Sequence, residues 1–219
     1  MTEYTLGDRS YTPGKILCVG RNYMKHIEEM GGRDATARPA LFIKPVTAIA
    51  ADPRDVYVPE DFGVLHHEVE LCFIVGRTCK GLTVDEAAVS IAGWAVGIDL
   101  TLRQWQNEAR QKGEPWDMAK GFDNAAVFGS FAAADTVAPP VDNPITLRVN
   151  GDIRQEGSTA HMLFGPAHVL AFVSRYMTVN RGDIFMTGTP AGVGELHDGD
   201  RLEAEVMGLP ALRAVIRRR

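Results

Sequence analysis

The sequence predicts a strand-rich α+β domain, and three observations carry that reading. Short apolar or alternating runs recur between turn signals, helical periodicity is confined to a few stretches, and the two do not alternate. A doubly wound parallel sheet would need strict strand-helix alternation. The first 14 residues, MTEYTLGDRSYTPG, are polar and read as an N-terminal appendage, leaving residues 15–219 as one domain.

The core opens with KILCVG (15–20), followed by helix-like spacing over 21–30. ALFIKP (40–45) and EVELCFIVG (68–76) are the next strands. A helix is expected over 84–92 behind a Thr start signal, then the apolar strand GWAVGIDL (93–100), then a helix over 100–112. ITLRVNGDIRQEG reads as a hairpin, because Asn150-Gly151 tolerates the positive φ angles of a two-residue turn. Pro166 marks the start of a helix over 165–176. DIFMTGTP (183–190) and RLEAEVM (201–207) complete the strands.

With 219 residues the chain can bury a sizeable core. Its balance of 45% hydrophobic and 23% charged residues is that of a folded protein. The net charge of −5 argues against nucleic acid or acidic lipid as a partner. The closing Arg217, Arg218 and Arg219 read as a solvated tail. The longest apolar stretch, 89–98, falls short of the roughly 20 residues a bilayer needs. No signal-peptide pattern opens the chain, and Cys18, Cys72 and Cys79 form no CxxC. The expectation is a cytoplasmic protein with reduced thiols.

Several familiar motifs fail. The glycine-rich stretch 187–194 lacks the Lys-Ser/Thr of a P-loop and does not fit GxGxxG. His66-His67-Glu68 begins like a zinc-protease helix, but Glu70 and Leu71 stand where a second His belongs. There is no GxSxG.

Glu68 and Glu70 lie two apart at the front of an apolar strand, so both face one way, about 7 Å apart. Asp99 closes another apolar strand. Three such carboxylates can supply a hard oxygen site suited to Mg²⁺ or Mn²⁺, with Ca²⁺ permitted and Zn²⁺ disfavoured. The other reading is a solvated strand face with Asp99 capping the next helix. His26 and Glu29 are spaced to share a helix face, where a carboxylate can hold an imidazole as a base. Ordinary surface residues would show the same spacing. Lys44 ends the run LFI, and Lys120 follows WDMA; either can be a surface lysine.

Taken together, KILCVGRNYMKHIEEM, LFIKP, HHEVELCFIVG, GIDLTLRQWQ, PWDMAKGFD, VNGDIRQEG and GDIFMTGTPAGVG resemble the fumarylacetoacetate hydrolase family in sequence and order. The likeness is closest to its small single-domain members of the acylpyruvate hydrolase and oxaloacetate-processing type. It implies a mixed β-roll or sandwich with a few peripheral helices, and a homodimer. It implies a metal held by Glu68, Glu70 and Asp99, and a water-activating dyad of His26 and Glu29. Lys120 and Gln106 resemble the pair that stabilises an oxyanion. Arg21, Lys44 and Thr189 match positions that border the substrate. Residues 29–38 resemble a lid that orders over substrate.

The activity implied is metal-dependent hydrolysis of a C–C bond in a 2,4-dioxo acid, giving pyruvate and a carboxylic acid. Oxaloacetate decarboxylation or tautomerisation, and isomerisation of 2-hydroxy-dienoates, need the same metal and differ in pocket shape. Trp105, Trp116, Phe122 and Asp123 are the candidates for shaping it. A non-catalytic relative that binds a metal and a dicarboxylate is the alternative of a different class. It would be expected to have lost part of this residue set.

Overall fold

A computed structural model describes residues 2–31 and 37–219. Its central sheet runs Ala126–Phe128, Ile91–Asp99, Val69–Val75, Ile184–Met186, Ile16–Gly20, Ala40–Lys44, with Ala132–Ala133 pairing farther along Ile91–Asp99. Neighbours are antiparallel except Ile184–Met186 beside Ile16–Gly20. A five-stranded sheet follows the order Asp152–Ser158, Pro144–Val149, Arg201–Val206, Leu212–Arg218, Asp55–Val58. A small sheet joins Gly194–Leu196, Leu65–His67 and Thr101–Leu102. The expected mixed β architecture with few helices is the one observed.

The central sheet is buried on both faces, which is why its strands read as continuous apolar runs. Val69, Leu71, Phe73 and Val75 alternate onto one face with Trp94, Val96 and Ile98. There they meet Ile145, Leu147, Ala204 and Val206 of the five-stranded sheet, and Val169, Leu170 and Val173 of the helix Pro166–Tyr176. Phe73 and Phe185, paired across neighbouring strands, stack with centroids 4.6 Å apart. Cys72, Ile74, Ile16, Cys18 and Ala95 point to the other face. The N-terminal hairpin Tyr4–Leu6 with Arg9–Tyr11 adds Leu6 and Tyr11 to that second cluster.

Local chemistry explains the element ends. Thr83 and Glu86 form a reciprocal capping box on Val84–Ala88. Asn150 and Gly151 take φ of 55° and 93°, the turn their sequence predicts. The helix expected over 100–112 starts later, at Arg103, because Thr101–Leu102 is taken up as a strand against Leu65 and His66. The three cysteines are buried and unpaired. Among the described residues no helix is long and apolar enough to cross a membrane.

Candidate metal centre and catalytic cleft

The second face of the central sheet carries the site. Glu70 and Cys72 share a face of Val69–Val75, and Asp99 extends the same face of the neighbouring strand Ile91–Asp99. The Asp99 amide donates to the Glu68 carbonyl at 2.9 Å, which places the two side by side. Ligand oxygens of Glu68, Glu70 and Asp99 all lie within 4.8 Å of one another, and all three residues are buried. The sheet register brings Asp99 beside the Glu68 and Glu70 pair, the three acids that the sequence singles out.

Cations surround the acids unevenly. Lys120 Nζ reaches Glu68 at 2.8 Å, Asp99 at 2.7 Å and the Thr101 hydroxyl at 2.6 Å. Lys44 Nζ stands 2.7 Å from the other Asp99 oxygen. Arg103 forks between Glu68 and Gln106, and its Nε donates to His66 Nδ1 at 3.3 Å. Among the described residues Glu70 has no ion pair; it accepts from the Gly188 amide at 2.6 Å.

The titration behaviour follows from this arrangement. Burial pushes Glu68 upward, but Lys120 and Arg103 outweigh it and hold the carboxyl well below its usual range. Burial, reinforced by Asp99 and Glu68, drives Glu70 well above the usual range. Burial lowers Lys120, and Asp99 with Glu68 more than reverses that, leaving it raised. Burial, then Arg103 and His67, brings His66 down to about 4.

His26 and Glu29 sit on the helix Met24–Glu29, with His26 Nδ1 3.1 Å from one Glu29 oxygen. The other Glu29 oxygen accepts from the Gly192 amide at 2.9 Å, which ties the dyad to the glycine-rich loop. That loop is fastened in turn. Asn22 donates to the carbonyls of Thr187 and Phe164 at 2.7 and 2.9 Å and accepts from the Phe164 amide at 2.8 Å.

One cleft is lined by His26, Glu68, Glu70, Asp99, Arg103, Gln106, Lys120, Arg21 and Thr189, with Phe42, Met30 and Trp116 as apolar wall. Arg21 is held at φ 57°, a left-handed conformation uncommon for a side-chain-bearing residue and frequent at binding sites. Lys44 is not in the cleft wall. It is fully buried behind Asp99, donating also to the carbonyls of Lys120, Ala125 and Leu100, so it braces an acid where a place beside the substrate was expected. Of the expected pocket-shaping residues, Trp116 lines the cleft, Phe122 and partly buried Trp105 pack in the main core, and Asp123 is exposed. Of the expected lid over 29–38, residues 32–36 lie outside the described residues.

Three residues that hold the site together carry little signal of that in the local sequence: Arg103, Asn22 and Gln155. Gln155 accepts from the Val69 amide at 3.0 Å and donates to the Thr189 hydroxyl at 2.7 Å. Arg103 offered one signal, its place in GIDLTLRQWQ three residues before Gln106.

A divalent cation fits this donor set. Three buried carboxylates converge, all are hard oxygen donors, and Glu70 has no direct ion-pair partner among the described residues, a place a cation would fill. Lys120, Lys44 and Arg103 already balance much of the remaining charge.

Residues 15–217 match the family model described as fumarylacetoacetate (FAA) hydrolase C-terminal. The chain is 42% identical over 193 residues to oxaloacetate tautomerase YcgM of Escherichia coli (strain K12), covering 88% of each. It is 38% identical to the mitochondrial oxaloacetate tautomerase FAHD1 of Bos taurus, covering 93% of this chain and 91% of that one. A crystal structure of fumarylpyruvate hydrolase from Pseudomonas aeruginosa, in complex with Mn²⁺ and pyruvate, superposes with a TM-score of 0.93. That protein is 31% identical, and the match covers 100% of this chain and 96% of that one.

Proposed function

The chain belongs to the fumarylacetoacetate hydrolase family, and we propose that it is a divalent-metal-dependent enzyme that interconverts the keto and enol forms of oxaloacetate. The observation that carries this reading is the shared cleft, in which the His26–Glu29 pair and the Glu68, Glu70, Asp99 triad face the same space. Likeness to two oxaloacetate tautomerases across about nine-tenths of the chain supports the choice of substrate.

Glu68, Glu70 and Asp99 would hold Mg²⁺ or Mn²⁺, which supplies a Lewis acid for the carboxylate and adjacent oxygen of a 2-oxo acid. His26 then acts as the base. Glu29 accepts from its Nδ1–H, which keeps the other ring nitrogen free to take the proton from the carbon beside the oxo group. Gln106 donates to the oxygen on which charge gathers, one such donor being worth roughly 3–4 kcal/mol in known cases, and Lys120, its three hydrogens held by Glu68, Asp99 and Thr101, adds its positive charge beside that oxygen. Arg21 and Thr189 take the remaining carboxylate. The proton is delivered to that oxygen to give the enol, and the reverse path restores the ketone.

A second reading is C–C hydrolysis of an acylpyruvate to pyruvate and a carboxylic acid. The Gly192 bond to Glu29 favours it, because a dyad anchored at both ends can hold and deprotonate an attacking water. Likeness to a fumarylpyruvate hydrolase supports it as well. Product analysis separates the two. Metal-loaded protein should hasten decay of enol-oxaloacetate absorbance without releasing pyruvate, and EDTA should abolish the effect. Rapid pyruvate release from acylpyruvates would favour hydrolysis, and tight oxo acid binding without turnover would indicate a binding protein.

A further inference from the structure

Gln155 is the buried polar residue of an otherwise largely exposed edge strand, Asp152–Ser158, and is only 1% exposed. Its amide is fully used. Oε1 accepts from the Val69 amide at 3.0 Å and lies 2.9 Å from His67 Nδ1. Nε2 donates to the Thr189 hydroxyl at 2.7 Å and to the Pro190 carbonyl at 2.9 Å. Val69 N–H can only donate and Pro190 C=O can only accept, so the amide has one orientation. Thr189 Oγ1 is therefore always the acceptor in its bond to Gln155. Its own hydrogen has no acceptor among the described residues, and Thr189 lines the cleft.

We propose that Gln155 is a positioning residue that, by donating to the Thr189 hydroxyl oxygen, turns the hydroxyl hydrogen out to donate toward a carboxylate oxygen of the substrate. The same amide holds the backbone between Glu68 and Glu70, so one side chain sets the register of the acid strand against the substrate loop. The consequence is a preference for an acceptor at that point: an anionic oxygen satisfies the free hydroxyl hydrogen, and a group with no lone pair to offer, such as an ammonium or an amide N–H, leaves it unpaired. The proposal rests on the reading that an oxo acid occupies this cleft.

Gln155→Glu tests it. An oxygen then stands where the N–H stood, Thr189 must donate to it, and lone pairs are left facing the ligand. The probe is oxalate, a planar carboxylate pair, titrated calorimetrically into Mn²⁺-loaded protein. The expected result is an oxalate Kd raised about tenfold or more, with Mn²⁺ affinity in the absence of oxalate changed less than about threefold. In a Thr189→Val background, itself weakened about tenfold, Gln155→Glu should add nothing further, while Thr189→Ser stays near wild type. An undiminished oxalate affinity in folded Gln155→Glu, or an equal loss with and without the Thr189 hydroxyl, overturns the proposal. Should Gln155→Glu not fold, full oxalate affinity in Thr189→Val overturns it equally. Failure of wild-type, Mn²⁺-loaded protein to bind any oxo acid overturns the functional reading, and this one with it, and is recognised without any variant.

Discussion

Lys120 and Asp99 form a buried ion pair, 2.7 Å long, inside the same acid cluster that fits a metal. The lysine is thus a built-in counter-charge as well as part of the cleft wall. Removing one partner of such a pair leaves the other charge buried, which costs about 3–5 kcal/mol.

Lys120→Met should therefore lower the melting temperature of metal-free protein markedly, by about 3 kcal/mol of stability with Lys44 and Arg103 still in place. Mn²⁺ should restore part of it, so the metal-induced shift in Tm exceeds that of wild type. Turnover should fall by about a hundredfold or more even when the metal is bound. Thermal melts with and without Mn²⁺, paired with activity, check this; equal metal-induced shifts would count against it.

Glu70 gives a pH dependence with a definite sign. Its folded-state pKa lies well above the unfolded value, because of burial, Asp99 and Glu68. Its contribution to the stability of metal-free protein is full below the ordinary carboxyl range and is lost as pH rises toward the raised pKa. A metal needs the carboxylate, so binding releases a proton and tightens with rising pH across the same window. Calorimetry in two buffers of different ionisation heat measures that proton; none released would contradict the assignment.

His26→Ala should reduce turnover by about 10²–10⁴-fold while leaving Mn²⁺ affinity within a few-fold, since the imidazole bonds Glu29 and none of the three acids. Glu29→Gln should cost less, because it disturbs only the tautomer and the Gly192 tether. Parallel kinetics and metal titration decide it. A variant that loses metal and activity together would make His26 structural.

Gly188→Ala tests the loop that feeds the site. The glycine has φ 94°, and an added Cβ would meet Asn22 Cβ at 2.8 Å and Val19 O at 2.9 Å. The expected loss is about 2 kcal/mol or more of stability. Mn²⁺ should also bind more weakly, because the Gly188 amide orients Glu70. Denaturant midpoints and metal affinity measure the two effects, and unchanged values for both would refute the packing account.

Much of the fold was legible because the central strands are long and apolar. The runs at 15–20, 68–76 and 93–100 became strands of one sheet, and Asn150-Gly151 became the hairpin turn. The small sheet of Gly194–Leu196, Leu65–His67 and Thr101–Leu102 was invisible, because strands of two or three residues carry no periodicity. The helix Asp117–Lys120, which delivers Lys120, is a single turn and too short to show a period of its own. In the site, the order of motifs pointed to the acids and to the dyad. Gln155 and Arg103 act through partners far off in sequence, 86 residues away for Val69 and 35 for Glu68, and no local pattern records such contacts. Lys44 closes an apolar strand as expected, but the parity of Ala40–Lys44 and its depth turn it toward the back of Asp99.

The most direct test of the central claim is a calorimetric titration of Mn²⁺ into wild type and Asp99→Asn. The account predicts one ion per chain for wild type and an affinity at least about a hundredfold weaker once that carboxylate is gone. Absence of binding to wild type, or equal affinity in the two proteins, would contradict it.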